Sequence, residues 1–85
     1  MIDDAALEAE LLRLTAERGP DRSICPSDVV RAMTPEWQPL LGRVRRIAVR
    51  LAEAGRIDIL RKGKPVTGEA VRGVIRLRVR PEPTP

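Results

Sequence analysis

The chain has 85 residues, a net charge of +4, 42% apolar residues and one aromatic side chain, Trp37. A length of this order supports one small domain that buries about 60 to 65% of the surface its unfolded form exposes, so Leu, Ile, Val and Ala must carry the packing. One cysteine, Cys25, excludes an intramolecular disulfide, and the lack of histidine excludes the usual Cys/His zinc site, so neither metal nor cofactor is expected.

Asp3 or Asp4 can cap a first helix, predicted over about 4–18, in which Leu7, Leu11 and Leu14 recur at four and three residues. Gly19-Pro20 ends it. A short extended piece, Arg22 to Cys25, leads to Pro26, which suits the first turn of a second helix, with Ser27 and Asp28 near its positive end. Val29, Val30 and Met33 give that helix a buried side, and it is expected to end near Met33.

Thr34-Pro35-Glu36 reads as a further start signal, but Pro39 disfavours a helical Gln38. A separate single turn is therefore expected before the main third helix begins near Pro39 or Leu40. From there Leu40, Leu41, Val44, Ile47, Ala48 and Leu51 share one arc of a helix that Gly55 closes. Ile57 and Ile59 alternate in a first strand, and Ile75, Leu77 and Val79 alternate with Arg76, Arg78 and Arg80 in a last one. The connection between them, RKGKPVTGEAVRG, is expected to be a wide exposed wing, too long for a two-residue hairpin turn.

This order of elements predicts an α+β winged helix-turn-helix: three helices plus a small antiparallel sheet with a basic wing, over residues 1–80. The tail PEPTP, 81–85, is expected to be disordered. The combination ICPS, GRI, KGKPV and RGVIRLR, with Trp37, resembles a small bacterial domain family of unknown function over about residues 5–79. The resemblance implies a winged-helix-like fold and no activity.

Charge divides the chain. Residues 1–37 hold eight acidic and four basic side chains, and residues 38–85 hold four acidic and twelve basic. On the third helix Arg43, Arg46 and Arg50 stand at spacings of three and four and form one stripe, and the wing adds Arg61, Lys62 and Lys64 around Gly63. Basic groups on a helix-turn-helix's second helix and on a flexible wing suit phosphates and base edges of duplex DNA. The bland reading is a solvated face in an arginine-rich composition. Arg76, Arg78 and Arg80 read as a solvated sheet face, and Trp37 as a lid over the turn between helices rather than a base-stacking platform.

Cys25 reads as a buried structural cysteine. Without histidine, Ser27 and Asp28 cannot form a hydrolase pair, and no phosphate-binding loop or dinucleotide fingerprint is present, so no enzyme is expected. An acidic start without an apolar run, and no span of membrane length, point to a cytoplasmic address and no membrane partner. Two main readings remain: a DNA-binding module, or a protein-interaction or self-association module whose acidic and basic halves pair between copies. RNA binding is a third, disfavoured by the near absence of aromatics.

Overall fold

The computed structural model describes residues 2–68 and 71–80, so the expected disordered tail, 81–85, lies outside the described residues. Helix α1 spans Asp4–Arg18, capped by Asp3, whose carboxylate accepts from the Ala6 N–H at 2.8 Å. Its buried side is Leu7, Leu11 and Thr15. The Thr15 hydroxyl, enclosed in this core, donates to the carbonyls of Leu11 and Leu12 and so leaves no unmet polar group.

Helix α2 spans Pro26–Arg31, with the Asp28 carboxylate accepting from the Cys25 N–H at 2.9 Å. It stops two residues earlier than the sequence predicts, because the N–H groups of Met33 and Thr34 both turn back to the Val30 carbonyl. Thr34-Pro35-Glu36 starts no helix: the Thr34 hydroxyl accepts from the Glu36 N–H at 3.3 Å in a local turn. The expected single turn is a 3-10 turn, Gln38–Leu40, which contains Pro39, and helix α3 follows over Leu41–Glu53. At its end the Arg56 N–H reaches the Leu51 carbonyl and the Gly55 N–H reaches that of Ala52. Gly55 sits at φ +80, the left-handed position this closing motif requires.

Strand β1 is Ile57–Arg61, β2 is Lys64–Pro65 and β3 is Arg76–Val79, in the antiparallel order β2-β1-β3. Register pairs Ile59 with Leu77 and Arg61 with Lys64. On the far side of β3, Ile24 exchanges both backbone hydrogen bonds with Leu77 at 2.8 Å. The extended piece before α2 thus joins the sheet as a one-residue strand. Helix, short extended pairing, two helices, then a hairpin is the chain order of a winged helix, and this α+β arrangement is compatible with one.

The wing corrects the sequence expectation. β1 turns into β2 through two residues, Lys62 and Gly63, both with positive φ (54 and 80), which is a tight hairpin turn. Of the rest of the expected wing, residues 69–70 lie outside the described residues, and the described stretches 66–68 and 71–75 form a separate connection in which Val66 and Val71 pack by α3. The interval looked too long for a tight turn because it holds two connections and a short strand.

The core is one cluster. Leu7 and Leu11 of α1, Val29 and Val30 of α2, Val44, Ile47 and Leu51 of α3, and Ile57, Ile59, Ile75 and Leu77 of the sheet side pack together. Each such side chain contributes about 1.5–3 kcal/mol by leaving water, and α1 touches both α3 and β3. That packing fixes which sides of α3 stay accessible.

Candidate nucleic-acid interface

The buried residues Val44, Ile47, Ala48 and Leu51 set one side of α3 against the core. At 100° per residue, Gly42, Arg46, Val49 and Glu53 lie opposite, Arg43 and Arg50 flank them toward α1, and Arg45 flanks them on the other side. The loop after β2 covers the C-terminal half of this outward side: Val66 and Val71 meet Val49 and Ala52 around a cavity of only about 40 Å³. The N-terminal half, with Gly42 and Arg46, is left open.

The three arginines of the expected stripe occupy different situations. Arg43 is clamped on Asp4 of α1, Nη2 to Oδ1 at 2.7 Å and Nε to the same oxygen at 2.9 Å. Arg50 donates to Glu8 of α1 at 3.3 Å. Arg46 is exposed and has no ion pair among the described residues. The acidic first helix therefore takes up two of the three.

Arg61, Lys62 and Lys64 form no ion pair among the described residues either, and the two lysines are exposed on the hairpin turn and β2. Arg72 is exposed on the return loop. Arg45, absent from the sequence-derived set, donates to the Gly73 carbonyl at 3.1 Å and ties α3 to that loop. Its position beside Arg46 was readable from helical spacing, but its backbone partner, 28 residues away, was not.

The outward face of the sheet is less bare than a solvated arginine row. Asp58 of β1 accepts from Arg78 at 3.1 Å and from Arg80 at 2.8 Å. Burial on its own pushes the Asp58 carboxyl up, but the hydrogen bonds from Arg80 and Arg78, helped by their charges, outweigh it and hold the group below its ordinary value. Arg76 forks over neutral acceptors, the Ser23 hydroxyl at 2.7 Å, the Ser23 carbonyl at 2.8 Å and the Cys25 sulfur at 2.9 Å. Cys25 is only half-buried, a correction to the buried cysteine expected from Ile24 beside it, because the residue faces the edge of the sheet beneath Arg76. Trp37 is half-buried against the core, with the Arg31 guanidinium 5.5 Å above its ring.

No group of three His, Cys, Asp or Glu suited to a metal ion occurs among the described residues. No helix among them is long and apolar enough to cross a membrane. The fold and surface are those of a small α+β domain with an open N-terminal half of α3 and a basic hairpin. The family described as "Protein of unknown function (DUF3253)" matches residues 4–80, and the chain belongs to it. No curated protein matches the chain.

Proposed function

We propose that this domain is a binding module, without catalytic activity, that takes duplex DNA on the N-terminal half of α3 and on the β1–β2 hairpin. The observation that carries this reading is the set of cations free of carboxylate partners among the described residues on these two elements: Arg46 on α3, with Arg61, Lys62 and Lys64 on the hairpin. A recognition helix meets base edges with its N-terminal residues, and wing cations meet flanking phosphates. Glu53 stands on the same side of α3 as Arg46 but seven residues further along, about 10.5 Å at the helical rise. It lies at the C-terminal end of α3, where the loop packs, and its side chain is exposed.

The test is a titration with duplex DNA at about 20 and about 200 mM salt. Micromolar or tighter binding at the lower concentration, falling steeply with salt, is expected. Arg46→Ala with Lys62→Ala and Lys64→Ala should weaken it by on the order of a hundredfold and flatten the salt slope by roughly 0.9 for each phosphate contact removed. No binding at low salt, by the chain as it stands or with the α1 carboxylates neutralised, overturns the reading. Competition by structured RNA that exceeds duplex DNA would reassign the ligand.

A second reading, self-association, draws on one observation. Val74 is 85% exposed, beside a shallow depression lined by Pro26, Leu41 and Ile75. A dimer in light scattering that Val74→Ser dissolves would favour it, and a monomer at high concentration would remove it. The acidic and basic halves give it less support than the sequence suggested, since α1 and α3 already pair their charges within one chain.

A further inference from the structure

Asp4 and Glu8 stand four residues apart on one face of α1, and Arg43 and Arg50 stand seven apart on one side of α3. The two ion pairs run in the same order along both helices, 2.7 Å for Asp4 with Arg43 and 3.3 Å for Glu8 with Arg50. A carboxylate on an arginine offers what a phosphate would offer: a small anion accepting from the guanidinium fork. Both pairs lie at the surface, the Asp4 side chain 57% exposed and that of Arg50 63%. Pairs so exposed are worth little to stability and exchange readily for another anion. Two other acidic side chains of α1, Glu10 and Glu17, are instead bound to Arg13 of the same helix and pair with no other element among the described residues. Among the described residues, Asp4 and Glu8 are the acidic side chains that α1 shares with α3.

We infer that α1 is a built-in competitor for the nucleic acid: Asp4 and Glu8 occupy Arg43 and Arg50 and must be displaced before phosphates reach them. This rests on the DNA-binding reading above and adds a regulation to it. In the resting chain the open contacts are Arg46 and the hairpin cations, so encounter is weak. Displacing the two carboxylates adds two phosphate contacts and moves two negative charges away from the DNA. Any condition that neutralises Asp4 and Glu8 therefore raises affinity by releasing Arg43 and Arg50.

The experiment compares the full chain with Asp4→Asn/Glu8→Gln on the same DNA duplex across a salt series. Affinity at low salt should tighten by on the order of tenfold, and the slope of log affinity against log salt should steepen by up to roughly 1.8, two contacts at 0.9 each. Adding Arg43→Ala/Arg50→Ala should abolish both gains, because the released cations are then missing. Glu10→Gln/Glu17→Gln removes the same charge without touching α3 and should leave the slope unchanged. Circular dichroism should show both double variants folded, melting within a few degrees of the parent. An unchanged affinity and slope in Asp4→Asn/Glu8→Gln, with the parent binding, overturns the competition and leaves the DNA reading standing. An equal gain in Glu10→Gln/Glu17→Gln reduces it to net charge and also overturns it. Binding by neither chain at low salt overturns the DNA reading itself, whereas binding by the neutralised chain alone is the strongest form of the competition.

Discussion

At the seam between α1 and α3, arginines rest on carboxylates; on the β1–β2 hairpin, an arginine and two lysines rest on none among the described residues. The seam holds two of the candidate cations, Arg43 and Arg50, and the hairpin three, so the number of charges alone does not explain why one set is paired and the other is not. The difference comes from packing. Leu7 and Leu11 bring α1 against Val44, Ile47 and Leu51 for apolar reasons, and that docking carries Asp4 and Glu8 to Arg43 and Arg50. The hairpin ends in β2 at the sheet edge, where no carboxylate among the described residues pairs with its cations. Charge availability is thus a by-product of where the hydrophobic stripe points.

If apolar burial makes the seam and the ion pairs follow, the largest effect belongs to the core. Leu11→Ala, at a fully enclosed position, should cost about 2–5 kcal/mol in urea unfolding. For a domain of this size that is a large part of the total stability. A cost below about 1 kcal/mol would mean that the seam is held by something else.

A third charged place, Asp58 with Arg78 and Arg80, lies on the outward face of the sheet, and its carboxylate, 13% exposed, is more enclosed than those at the seam. Asp58→Asn should cost about 1–3 kcal/mol at neutral pH, since it weakens two charge-assisted bonds and leaves Arg78 without its counter-charge. Asp58 is held below its ordinary value only in the folded chain, so the folded state binds that proton more weakly than the unfolded state does. The stabilisation is complete above the unfolded value of about 4 and is lost as pH falls through the lower folded one. Parent and variant should therefore converge in stability below about pH 4; a gap that stays constant down to pH 2 would contradict the assignment.

By contrast Arg43→Ala/Arg50→Ala should change stability by about 1 kcal/mol or less, as exposed pairs do. A loss as large as that of Leu11→Ala would reverse the order of cause at the seam.

The helices were legible in the sequence wherever an apolar stripe coincided with punctuation. α1 runs from the predicted Asp cap to Gly19, and α3 ends at Gly55, because both signals act within a few residues. Less legible were features set by elements far apart in the chain. The pairing of Ile24 with Leu77 spans 53 residues, and the capture of Arg43 by Asp4 spans 39. Nothing in the local spacing of the arginines indicates that a carboxylate from α1 will meet them. Arg46 differs from Arg43 by 60° around the helix, and that rotation decides which of them stays unpaired.

The hairpin turn was misread because Lys-Gly is a weaker signal than Asn-Gly, and its first residue bears a cost. Lys62 holds φ +54, where a side chain crowds the following carbonyl, whereas asparagine tolerates that conformation. Lys62→Asn should stabilise the fold by a few tenths to about 1 kcal/mol in thermal or urea unfolding. Gly63→Ala should destabilise it by about 1–2 kcal/mol, and for conformational reasons alone, since nothing lies within 4 Å of the added carbon. The Lys62→Asn variant also removes one unpaired cation, so its DNA affinity should fall and its salt slope flatten by roughly 0.9 while its melting temperature rises. Stability and binding moving in opposite directions is the result that separates a functional lysine at this turn from a merely solvated one. An affinity that holds while stability rises would place Lys62 outside the interface and leave Arg46, Arg61 and Lys64 to carry it.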